Sequence, residues 1–75
     1  MNYDLERISS SPDIMLGKPV IKGTRITIEM ILTKLSEGIS EDDLLKMYPK
    51  LSKNDILAAL GYSASVLSKE ELIAS

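Results

Sequence analysis

The apolar pattern of this chain changes period at Thr27, and that change decides most of what the chain can fold into. Upstream, Val20-Ile21 and Ile26-Thr27-Ile28 are β-branched pieces bracketing Lys22-Gly23-Thr24-Arg25. Short β-branched runs on either side of a Gly-containing segment predict a hairpin. Pro19 cannot donate to a ladder, so its strand is expected to start there or to lie at an edge. Ile14-Met15-Leu16 reads as a further short strand, Ile8 to Asp13 as a turn, and residues 1–7 as a loose lead-in.

Downstream the period is helical. Ile28, Ile31, Leu32 and Leu35 share one face, Thr27 is placed to cap it, and Gly38 can end it with a left-handed residue. Ser40-Glu41-Asp42-Asp43 opens a second helix with acids on the positive end of its dipole, Leu44, Leu45 and Tyr48 face inward, and Pro49 stops it. Ser52-Lys53-Asn54-Asp55 repeats the cap, and Ile56, Leu57, Leu60 and Leu67 form a third stripe, which Gly61 weakens by about 1 kcal/mol relative to Ala. Ser68 to Glu71 reads as the start of a short terminal helix over Leu72 to Ala74. The expected fold is therefore mainly α: a short N-terminal β-hairpin, then helices at 28–37, 41–48 and 53–67. One domain spans 1–75, divided into arm and hairpin (1–27), three-helix core (28–67) and tail (68–75).

Seventy-five residues, three tyrosines and no Phe or Trp leave a core of Leu, Ile, Met, Val and Ala, which suits packed helices. Without cysteine there is no disulfide framework or thiolate metal site, and without histidine the commonest general base is missing. No apolar run approaches a membrane span, and the start MNYDLERISS has no apolar signal stretch, so a cytoplasmic location is expected. The net charge of -2 gives no global basic field. Locally the picture differs: residues 16–27 hold Lys18, Lys22 and Arg25 with no acid, whereas residues 37–75 hold seven acids against four lysines.

Three candidate sites follow. Gly17-Lys18-Pro19-Val20-Ile21-Lys22-Gly23-Thr24 superficially suggests a phosphate loop, but five residues separate its glycines and the order is Lys-Gly-Thr. A Walker loop needs four residues and then Lys before Ser or Thr, so that its amides converge on phosphate; a turn joining strands fits better. Glu41-Asp42-Asp43 cannot converge on one metal ion, because consecutive helical side chains point about 100° apart. No nucleophilic triad is available, and no enzyme is expected. The segment EDDLLKMYPKLSKNDILAALGYSA reads as helix, three-residue turn and capped helix, with Leu51 inside the turn. That is either a helix-turn-helix, with Lys53, Asn54, Ala58 and Ser65 on its outer side, or an ordinary helical hairpin.

These residues also carry a resemblance. ISSSPDIMLGKPVIKGTRITI, followed by LSEGIS, DLLKMYPKLS, DI and AALGYSA, resembles the domain-of-unknown-function 433 family from about Ile8 to Leu67. The family pattern is met at Pro12, Gly17, Pro19, Gly23, Thr24, Arg25, Gly38, Pro49 and Leu51. Met15-Leu16 departs from it, standing where members often have a small residue or Cys followed by Gly, and Gly61 stands where Ala is usual. The resemblance implies a VapB-type antitoxin with a homeodomain-like helix-turn-helix, a PIN-like ribonuclease toxin as partner, and autorepression through double-stranded DNA. No cofactor or metal is implied.

On this reading Lys50, Ser52, Lys53, Asn54, Lys18 and Lys22 are the DNA-binding candidates, while Gly17, Pro19, Gly23, Thr24 and Arg25 form the structural motif. Arg25 is expected to pair with Asp13 or Glu29 and fix the hairpin on the helices. A homodimer is expected through the hairpin edges, Ile14, Met15, Leu16, Val20 and Ile21, since unpaired edges invite a symmetry mate. The tail offers Leu72 and Ile73 to a partner. The alternative is a protein-interaction or dimerisation module whose helix-turn-helix is architectural and binds no DNA.

Overall fold

In a computed structural model, residues 5–68 are described; the lead-in residues 1–4 and the tail from Lys69 to Ser75 lie outside them. The chain is mainly helical. A 3-10 turn at Leu5–Arg7 leads into β1 (Ile8–Ser9), which pairs antiparallel with β2 (Val20–Ile21) in the register Ile8 to Ile21 and Ser9 to Val20. Three helices follow: α1 (Ile28–Ser36), α2 (Glu41–Met47) and α3 (Lys53–Ser68).

The turn between the β-branched pieces forms as its residues require. Thr24 N–H donates to the Ile21 carbonyl at 3.0 Å, and Gly23, third of those four residues, has φ +81°. A type II turn needs that positive φ, which glycine adopts without a Cβ penalty. The Thr24 hydroxyl donates to the Ile21 carbonyl at 2.7 Å and accepts from Ile26 N–H at 3.0 Å. Beyond the turn, Val20 bridges Thr27, Ile21 N–H donates to Ile26, and Ile28 N–H donates to Pro19. The second arm ends there because Thr27 already caps α1, its hydroxyl accepting from Met30 N–H at 3.0 Å. The ladder of β2 is completed instead by β1, in a stretch whose serines suggest only a turn.

The strand expected at Ile14 to Leu16 is not formed. Met15, Leu16 and Gly17 make a tight turn with φ of 49°, 60° and 84°, closed by Gly17 N–H to the Ile14 carbonyl and Lys18 N–H to Met15. The dimer contact expected on the hairpin edges needs correction too. Val20 and Ile21 are buried and β2 is hydrogen-bonded on both sides, so neither offers an open edge. Met15 and Leu16 are exposed, Ile14 half-buried.

The helix signals behave locally as expected. Ser40 accepts from Asp43 N–H at 3.1 Å. Gly38 (φ +93°) donates to Leu35 while Ile39 donates to Lys34, the paired bonds that satisfy the last carbonyls of a helix. Ser52 and Asp55 cap α3 reciprocally: Asp55 N–H donates to the Ser52 hydroxyl at 3.2 Å, and Ser52 N–H to an Asp55 carboxylate oxygen at 3.0 Å. The connector from α2 to α3 runs over Tyr48–Ser52, longer than the three-residue turn expected, with Leu51 buried within it.

The core gathers Ile21, Ile28, Ile31, Leu44, Leu51, Ile56 and Ala59. It joins the hairpin to all three helices. Here α3 corrects its predicted stripe. Ile56 is buried as expected, but Ala58 and Ala59 are buried beside it, whereas Leu57, Leu60 and Leu67 remain 48%, 38% and 64% exposed. Two apolar faces fit the helical period in this segment, and the small one faces in because alanines let the helix approach the core closely. Ala58 is therefore not on the outer side.

Candidate functional site

The hairpin turn and the α2–α3 connector meet across an open groove of about 760 Å³. Gly23, Thr24 and Arg25 come from the turn, and Met47, Tyr48, Pro49 and Lys50 from the end of α2 and the connector. Ile14, Val20, Ile26 and Met30 complete the apolar lining. Tyr48 is held across it, its hydroxyl donating to the Met30 sulfur at 3.5 Å. The two methionines give the lining an adaptable, polarizable surface. Arg25 and Lys50 are exposed, and among the described residues no acid lines the groove. Such a site favours an occupant with apolar side chains and a negative group.

Arg25 does not take its expected role. Among the described residues it makes no ion pair, and Glu29 is engaged by Lys18 at 2.9 Å instead. The structural arginine is Arg7, in the stretch read as a loose lead-in: it meets Asp55 at 3.0 Å, the carboxylate that also caps α3. Their side chains are 35% and 9% exposed. One buried carboxylate thus fastens the N-terminal arm to α3, and no local signal announces a contact across that distance in sequence.

The predicted residues separate into three groups. Gly23, Thr24, Arg25, Ile14, Val20 and Lys50 share the groove. Lys53 and Asn54 stand exposed in the first turn of α3, next to the capping Ser52. Lys18 is tied to Glu29, Lys22 is exposed on the turn, and Gly17 and Pro19 act through their carbonyls, which accept from the Ser10 hydroxyl and Ile28 N–H. Sequence reasoning missed Met30, Met47 and Tyr48 as groove residues, because each reads as ordinary helix packing.

The family model described as Protein of unknown function (DUF433) matches residues 8–63, from β1 to the middle of α3. The chain belongs to DUF433. A solved relative, the crystal structure of a DUF433 member protein from Anabaena variabilis ATCC 29413, superposes with a TM-score of 0.78 at 27% identity, covering 92% of this chain and 69% of that one. The Uncharacterized protein y4eO of Sinorhizobium fredii (strain NBRC 101917 / NGR234) is 34% identical over 58 residues. That match takes in 77% of this chain and 26% of y4eO, so this DUF433 chain spans about a quarter of that relative. The groove and the first turn of α3 both lie in the matched region. No described helix is long and apolar enough to cross a membrane.

Proposed function

We propose that this DUF433 protein is an antitoxin-like regulator that acts by binding rather than by catalysis, and that its groove receives an acidic, apolar segment of a partner protein. The observation that carries this reading is the groove's composition among the described residues: an apolar lining crossed by Tyr48, two exposed cations, and no carboxylate. Desolvated apolar anchors supply most of the energy at such contacts, while rim charges steer and select. The family resemblance supplies the partner class, a PIN-like ribonuclease toxin. The test is co-purification with a PIN-like nuclease encoded beside this chain. Arg25→Glu with Lys50→Glu should weaken that complex about tenfold or more while leaving the fold intact. Undiminished binding by the double variant overturns the reading.

A second reading, DNA binding by the helix-turn-helix with repression of its own promoter, rests on a separate observation. Lys50, Ser52, Lys53 and Asn54 are all exposed where the chain enters α3, the end of a recognition helix that meets base edges and phosphates. Binding to double-stranded DNA would weaken with salt, and Lys53→Ala would reduce the salt slope by about one. Equal binding by Lys53→Ala and the unsubstituted chain would remove this reading.

A further inference from the structure

We infer that the outward face of α3 is a seam for a second copy of this chain, packed antiparallel. Leu57, Leu60 and Leu67 are 48%, 38% and 64% exposed, and Ala64 is exposed between them. At 3.6 residues per turn these four positions fall within about 80° of arc, centred about 120° from Ala59, with the buried Ile56 bordering the arc on its Leu67 side. Their spacing of three, four and three residues is that of the inward positions of a two-helix coiled coil.

The surroundings of the seam are equally unusual for a solvated helix face. From Ile56 to Ser68 the sequence ILAALGYSASVLS contains no charged residue. Exposed helix faces ordinarily carry charge, and contiguous apolar ones mark interaction sites. Gly61, Ser65 and Ser68 flank the leucines with small side chains, so a second helix can approach closely. At Leu67 the seam borders a shallow groove of about 460 Å³ that Val66 lines with Ile28 and Leu32 of α1. A helix about 24 Å long would alone give an interface at the small end of the specific range, and burying this groove enlarges it.

The occupant follows from the order of sizes. Reversing α3 about its middle sets Leu57 against Leu67 of the second copy and Leu60 against Ala64, each pairing occurring twice. Every large residue then meets either a partner leucine at the ends or the space left by an alanine at the centre. Parallel pairing would instead oppose Leu60 to Leu60 and leave Ala64 facing Ala64. None of the groove residues at the hairpin turn belongs to α3, so this seam stands or falls independently of partner binding there.

Sedimentation equilibrium at micromolar concentration should find a dimer. Leu57→Glu with Leu67→Glu should weaken it about tenfold or more with unchanged helical circular dichroism, since both side chains are exposed in the monomer. The chain has no cysteine, which makes orientation directly readable. Leu57→Cys mixed with Leu67→Cys should give a mixed disulfide under oxidation, whereas Leu57→Cys alone should not, its two copies lying about 15 Å apart along the axis. A monomer, a dimer untouched by the double glutamate variant, or a ready disulfide from Leu57→Cys alone would each overturn the inference.

Discussion

Near Arg7 and again near Lys18 the N-terminal arm is tied to a helix by an ion pair of nearly equal length, yet these are different attachments. Arg7 meets Asp55 of α3 at 3.0 Å, and Lys18 meets Glu29 of α1 at 2.9 Å. Around Arg7 the attachment is reinforced: Asp55 is largely buried, accepts Ser52 N–H, and the Arg7 carbonyl accepts Lys22 N–H at 2.7 Å. Around Lys18 both side chains stand more than half exposed, next to three consecutive residues of positive φ. Length alone does not measure what a salt bridge contributes. Burial of the acceptor and the number of bonds it already makes do.

The contrast can be broken most severely at Asp55. Asp55→Ala removes a partner of Arg7 and the carboxylate half of the α3 cap together, and should lower stability by about 2–3 kcal/mol in a urea titration. Arg7→Ala leaves the cap bond to Ser52 intact and should cost about 1–2 kcal/mol by the same measurement. A loss from Arg7→Ala equal to that from Asp55→Ala would mean that the bond from Ser52 N–H to the Asp55 carboxylate contributes nothing. Leu16→Gly should act in the opposite direction near the second attachment. Leu16 is 93% exposed at φ +60°, so little packing is lost while left-handed strain is relieved, and stability should rise by about 1 kcal/mol. Lys18→Ala should change stability by no more than about 0.5 kcal/mol, and any change should vanish in high salt.

What the sequence reveals here is what is local. Thr27, Ser40, Ser52 and Gly38 announce helix ends because each satisfies backbone groups within a few residues of itself. The Gly23 turn is legible for the same reason. The pairing of Ile8–Ser9 with Val20–Ile21 is not, since two short polar-flanked residues carry no period of their own. Nor is the orientation of α3, whose leucines and alanines fit the helical repeat equally well until Asp55 and Ile56 are fixed by contacts from distant segments. The candidate groove was legible only as halves. Gly23-Thr24-Arg25 and Pro49-Lys50-Leu51 each stand out as turns, but only the tertiary fold brings the hairpin turn and the α2–α3 connector onto one groove.

Val20 sits between Ser9 on one side and Thr27 on the other, so the arm, the turn and the start of α1 are laced through a single buried residue. The amides of Ile21, Lys22 and Ile28, bonded to Ile26, Arg7 and Pro19, should therefore lose protection against hydrogen exchange together, as one cooperative opening. An arm laced in this way opens as a unit rather than fraying strand by strand, so whatever binds this face meets the hairpin turn and the start of α1 joined through one backbone network.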